Sequence, residues 1–213
     1  MTQLVAQAIL FDLDGTLVDS AAAVERSWRK LGDRLDMPWD QLESWIHGIP
    51  VRQVLAQIRP DLPAEEVEEL REFMIDSEST DTGDVVPLPG TLAALDQLPT
   101  NRWAIVTSGP RRLAHARIRA AGLPLPRYLI TADDVAKGKP EPDPFLAGAR
   151  IVGHPAARCL AFEDSHAGVA SARAAGVPVI GISSAHSELD VPTVPNLSTV
   201  EFSADRAGVI VTF

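Results

Sequence analysis

Short apolar runs that end in polar clusters, with helical stretches between them, constrain this chain more than any other feature. From Pro89 onward, residues 103–106, 128–131, 159–162 and 177–182 have the length and composition of strands. Residues 91–98, 111–121, 143–152 and 166–175 carry helical apolar spacing, and glycines at 122 and 176 follow two of them. This alternation predicts an α/β fold with a parallel sheet, doubly wound by helices on both faces through right-handed crossovers. Residues 7–13 read as a further buried strand. Polar clusters follow three of these strands: Asp12-Leu13-Asp14-Gly15-Thr16, then Thr107-Ser108-Gly109, then Glu163-Asp164. In sheets of this kind ligands bind outside the carboxyl ends of the strands. The tail, residues 199–213, reads as closing in a short hairpin around 205–208.

The stretch between the first two strands is different in kind. Residues 18–35 place Ala21, Val24, Trp28, Leu31 and Leu35 on one helical face, with Asp19 or Ser20 available as the cap. Met37-Pro38 ends that helix. A short helix over 39–46, a third opened by Pro50 and a fourth opened by Pro63 follow. Four successive helices without a strand read as a separate helical unit. Residues 80–86, stiffened by Pro87 and Pro89, return the chain to the alternating pattern.

Asp12 and Asp14 are two residues apart at a strand end, so both carboxylates are expected on one side, with Leu13 turned into the core. Like charges that close need a cation or a proton. Gly15 lets the chain turn sharply and leaves room for a ligand. A carboxylate can attack phosphorus, and a neighbouring carboxyl can handle the leaving proton. Repulsion from Asp12 is expected to raise the affinity of Asp14 for that proton. The hydroxyl of Thr107 and the amides of Ser108 and Gly109 can line an oxyanion site. Lys139, held between Gly138 and Pro140, can neutralise oxyanions, whereas Lys137 lacks that setting.

Asp12-Leu13-Asp14-Gly15-Thr16-Leu17-Val18-Asp19-Ser20 resembles the first motif of the haloacid dehalogenase superfamily in its phosphatase form. Ile105-Val106-Thr107-Ser108-Gly109, Gly138-Lys139-Pro140-Glu141-Pro142-Asp143 and Phe162-Glu163-Asp164-Ser165-His166-Ala167-Gly168 follow in the same order. Within the superfamily the chain is most similar to the helical-capped sugar-phosphate and polyol-phosphate phosphatases. The resemblance implies a Rossmann-like catalytic core of residues 1–17 and 86–213, with an inserted four-helix cap of residues 18–85. It further implies Asp12 as nucleophile, Asp14 as acid and base, and Mg²⁺ held by Asp12, the Asp14 carbonyl and Asp164, with Glu163 direct or through water. Thr107, Ser108, Gly109 and Lys139 would hold the phosphoryl group. In that branch a His-Gly cap loop, here His47-Gly48 with Arg52 one turn beyond, faces the site. The expected substrate is a small phosphorylated metabolite, and the expected state a monomer or weak homodimer.

Alternatives keep the same core motifs. A phosphosugar mutase would differ mainly in the cap, and a phosphosugar-binding regulator would have lost turnover. A dehalogenase does not need Asp14. A phosphonate hydrolase needs a Schiff-base lysine, and Lys30 is the only lysine in residues 18–85.

Composition narrows the partners. The net charge of −10, with Glu65, Glu66, Glu68, Glu69 and Glu72 in one run, argues against nucleic acid and reads as a solvated helix face. No apolar run reaches the roughly 18–20 residues a membrane span needs. Residues 1–7 have no basic segment, so no signal peptide is expected. The single cysteine, Cys159, sits in an apolar run, fits a buried small hydrophobe and is consistent with a reducing, cytoplasmic setting. His115, His154, His166 and His186 lack metal spacing, and Trp28, Trp39, Trp45 and Trp103 read as packing residues.

Overall fold

The computed structural model describes residues 2–45, 50–183 and 188–213. Six parallel strands form the central sheet. They are β2 (Ala8–Phe11), β5 (Trp103–Val106), β6 (Leu129–Ile130), β7 (Cys159–Glu163), β8 (Val179–Ile182) and β9 (Thr193–Val194). Their spatial order is β6-β5-β2-β7-β8-β9, with parallel pairing throughout. The order reverses at β2, which lies between β5 and β7, so the crevice falls where its chain leaves the sheet.

Alternation along β2 builds two cores. Ile9 and Phe11 face one side, with α4 (Thr91–Gln97) and α5 (Arg111–Ala120). There Phe11 stacks on Phe162 with 5.5 Å between ring centroids, and Phe202 meets both edge-on. Ala8 and Leu10 face the other side, with Phe145 and Ala149 of α6 (Asp143–Ile151) and Ala172 of α7 (His166–Ala174). Strands buried on both faces are apolar throughout, which is why periodicity alone left their faces undefined.

The first strand is shorter than the sequence suggested. Residues 3–6 leave the parallel sheet as β1 (Gln3–Ala6) and pair antiparallel with β11 (Val209–Thr212), which also pairs with β10 (Glu201–Ala204). The expected tail hairpin is therefore present, turning through Asp205, whose amide donates to Gly208 O.

Among the described residues the helical stretch contains three α-helices where four helices were expected: α1 (Ala21–Leu35), α2 (Val51–Ile58) and α3 (Ala64–Thr80). Where a helix was expected over 39–46, Trp39–Gln41 and Glu43–Trp45 form two separate 3₁₀ turns. Trp39, Leu42 and Trp45 recur every three residues, the 3₁₀ period, and only Leu42 of this stretch is fully buried. The three helices bury an apolar cluster of their own, centred on Trp28, Leu31, Val54, Leu55, Leu70 and Met74 and distinct from both sheet cores. The chain enters this layer through β3 (Val18–Asp19) and leaves through β4 (Val86–Pro87), and the two pair antiparallel. No helix among the described residues is long and apolar enough to cross a membrane.

Candidate active site

Asp12 follows the last residue of β2, and its amide donates to Phe162 O on β7 at 3.0 Å, which holds the two strand ends together. Glu163 closes β7 and Asp164 follows it. Lys139 reaches in from the loop before α6. Its ammonium donates to Asp12 Oδ1 at 2.6 Å and to Glu163 Oε1 at 2.7 Å. Ser165 donates its amide to the other Glu163 oxygen at 2.7 Å. All of this is buried: Asp12 is 6% exposed, Lys139 7% and Glu163 1%. Ligand oxygens of Asp12, Glu163 and Asp164 lie within 4.8 Å of one another.

Burial is the main force raising the Asp12 pKa, and the charges of Glu163 and Asp14 add to it against the pull of Lys139. Burial likewise lifts Asp164, with Asp12 and Glu163 pushing the same way. Burial alone would lower Lys139, but Asp12 and Glu163 outweigh it and keep the ammonium charged. Three carboxylates against one ammonium leave a deficit of positive charge. All-oxygen donors in that deficit fit a hard divalent cation such as Mg²⁺.

Two glycines make the crowding possible. Gly15 has φ +82°, and a Cβ there would land in the Asp164 carboxylate. The space expected for a ligand beside Gly15 is therefore occupied by this acid. A Cβ on Gly168 would land in the Glu163 carboxylate. Ser165 caps α7 by accepting from the Gly168 amide at 3.0 Å, so Glu163 and Asp164 are not needed as caps.

Asp14 takes a different direction from Asp12. The strand has already ended, and the chain turns through Gly15, so the expected shared side does not hold the two carboxylates on one cation. Asp14 Oδ2 lies 2.6 Å from Nη1 of Arg117 on α5. Asp14 Oδ1 accepts from Ser20 Oγ at 2.8 Å. Ser20 therefore spends its hydroxyl on Asp14 rather than capping α1, and Asp19 accepts from the Ala21 amide. The same guanidinium pairs with Glu78 of α3.

Arg117 and Glu78 were not singled out from the sequence. The available signal was position: Arg117 sits on the buried face of α5 with Leu113, Ala114 and Ile118. Glu78 lies one turn beyond Met74 on the buried face of α3.

The other candidates divide. Thr107 is buried directly after β5, and its Oγ1 accepts from the Gly109 amide at 3.0 Å. That amide is engaged inside the turn, so Gly109 is not the open oxyanion donor expected. Arg52 is exposed and pairs with Glu68 of α3, outside the group gathered around Asp12. His47 and Gly48 lie outside the described residues, as does His186. Cys159 is buried, and burial pushes its thiol up to about 11.

Comparison with known proteins agrees with this geometry. Residues 6–176 match the family model for haloacid dehalogenase-like hydrolases. Hexitol phosphatase A of Escherichia coli (strain K12) is 38% identical over 208 residues, covering 95% of this chain and 94% of that protein. Glycerol-1-phosphate phosphohydrolase 2 of Saccharomyces cerevisiae is 37% identical over 186 residues, covering 82% of this chain and 74% of its own. A hydrolase from Pseudomonas syringae has a similar structure, with TM-score 0.77 and 25% identity, covering 90% of this chain and 94% of that one. The β2 strand-end turn, the buried lysine and the acidic pair at the end of β7 thus stand in a chain that belongs to the haloacid dehalogenase-like hydrolases.

Proposed function

We propose that this protein is a Mg²⁺-dependent phosphatase that hydrolyses small sugar or polyol phosphates through a phosphoryl group carried on Asp12. One observation carries the reading: a buried aspartate at a strand end, 2.6 Å from a buried ammonium and beside two further acids. The names of the two relatives support the substrate class.

In the first half-reaction an Asp12 carboxylate oxygen attacks phosphorus, the bond from phosphorus to the ester oxygen breaks, and Asp14 gives its proton to that oxygen. In the second, Asp14 takes a proton from water as the water oxygen attacks the same phosphorus, releasing inorganic phosphate and restoring Asp12. Lys139 offsets charge on Asp12 and on the phosphoryl oxygens, and the Thr107 hydroxyl and Ser108 amide orient those oxygens. Asp12, Asp164, the Asp14 carbonyl and Glu163, directly or through water, are the residues to hold Mg²⁺. Once bound, the ion would supply neutralisation of the charge that accumulates in phosphoryl transfer.

Residues 18–85 act in this reading as a cap over the strand ends, with the paired strands β3 and β4 as its hinge. The lone, buried Cys159 fits a reducing cytoplasm. The test is phosphate release from a panel of sugar, polyol and short-chain phosphates, with and without Mg²⁺. Release that needs the metal, from polyol or sugar esters, is the expected result. No release from any member, or release that survives exhaustive chelation, overturns the reading.

A further inference from the structure

We propose that Arg117 is a positioning residue, which aims the Asp14 carboxylate only while α3 is seated against the core and Glu78 shares the guanidinium. This rests on the reading of Asp14 as the acid and base. Arg117 occupies the apolar face of α5 and is 5% exposed, where an aliphatic side chain would pack without cost. Burying a guanidinium is costly unless its partners are well placed, and buried ion pairs are weak sources of stability. A cation in that position therefore calls for a role beyond holding helices together.

The geometry supplies the role. Nη1 meets Asp14 and Nη2 meets Glu78, so a single planar fork spans the acid and the helical layer. Nε of Arg117 has no hydrogen-bond partner among the described residues, so the side chain is placed by these two carboxylates. Asp14 is fixed at both oxygens, one by Arg117 and one by Ser20. Ser20 opens α1 and Glu78 stands in the last turn before α3 ends at Thr80, so Asp14 is braced directly at one end of the layer and through Arg117 at the other. Withdrawal of α3 would remove Glu78 from the fork and free Arg117 to follow either partner. An acid that must point at a leaving oxygen loses aim when its brace swings.

A second α3–α5 ion pair, Arg112 with Asp76, is exposed and makes no contact with Asp14, and it provides the control. The experiment compares kcat and KM of wild type, Arg117→Met, Glu78→Gln and Arg112→Ala on a polyol phosphate and on p-nitrophenyl phosphate. The aryl leaving group needs little protonation and the alkoxide needs much. Because general acid catalysis contributes about 10²–10⁴-fold, partial loss of its alignment should lower kcat on the polyol ester about 10–100-fold. The aryl ester should lose no more than a few-fold, with KM little changed for both. Arg117→Met keeps the length and suits the apolar face, and Glu78→Gln keeps the shape should the first variant misfold. Arg112→Ala should leave the polyol-to-aryl ratio of kcat at the wild-type value. Equal losses on both esters in Arg117→Met and Glu78→Gln, or the same ratio change in Arg112→Ala, would make Arg117 a mere tie between helices and overturn the inference. Wild-type protein that releases no phosphate sinks the reading of the site and this inference together. Wild-type turnover with an unaltered ratio in both variants sinks the inference alone.

Discussion

Asp12 and Asp14 are two residues apart and inhabit different surroundings. Lys139, Glu163 and Asp164, which gather around Asp12, come from the strand ends and loops of the sheet. Asp14 is held by Ser20 and, through Arg117, by Glu78, both in the stretch between β3 and β4. One acid is furnished, among the described residues, by the ends of the sheet. The other is furnished jointly by sheet and helices. In the proposed mechanism a nucleophile so placed is ready whatever the helices do, whereas an acid placed at a seam is ready only when the seam is closed.

The comparison breaks most sharply at Asp12. Asp12→Asn should lower kcat by about 10⁴-fold or more, the scale on which a missing nucleophile acts, for every substrate alike. Acid-quench labelling should find no phosphoenzyme. If the variant still traps phosphate, the nucleophile lies elsewhere and the contrast between the two acids collapses.

Lys139→Met tests whether the Asp12 side is self-contained. It leaves Asp12 and Glu163 buried without their ammonium, and breaking such a pair costs about 3–5 kcal/mol. Thermal melts should show the drop, and added Mg²⁺ should recover part of it by supplying the missing positive charge. Recovery absent at saturating Mg²⁺ would mean that the acids of this cluster do not hold the ion.

Gly15→Ala probes the turn that separates the two acids. A left-handed backbone at φ +82° and a Cβ directed into Asp164 should cost about 1–3 kcal/mol. Metal affinity, read by calorimetry, should fall with it because Asp164 must move. Unchanged affinity would remove Asp164 from the ligand set.

The smallest effect belongs to the helical side. Hydrogen bonds from Arg26, then from Lys30, hold the Asp81 carboxyl down at about 2. A folded value below the ordinary 3.8 contributes stability above that value, and the contribution is lost as pH falls from about 4 through 2. Melting temperatures of wild type and Arg26→Gln should differ slightly at pH 7 and converge near pH 2. Because Arg26 and Asp81 are only half-buried, a difference large enough to unfold the helices at pH 7 would contradict the assignment.

What the sequence revealed follows the range of the physics. Lys139 was legible because its neighbours Gly138 and Pro140 are local, and the strand ends were legible because apolar runs stop abruptly at polar residues. The pairing of Arg117 with Asp14 and Glu78 spans helices far apart in sequence, and nothing near Arg117 names its partners. β1 was not read as a strand, because its partner β11 lies at the far end of the sequence. The short helix expected over 39–46 is two 3₁₀ turns in its described part, since a three-residue spacing and a 3.6-residue spacing differ little over two turns.

The pairing of β3 with β4 has a consequence for how such a chain can change. Val18 faces Pro87 and Asp19 faces Val86, so the two points where the helical layer is joined lie side by side. A two-residue hairpin turn suffices to connect antiparallel neighbours of this kind. Everything between Asp19 and Val86 is therefore topologically an ornament on one loop, which can lengthen, shorten or be exchanged while the order of the sheet strands stays as it is. The constraint on such exchange is chemical: a replacement must again present an acid to Arg117, or leave a buried cation leaning on Asp14 alone.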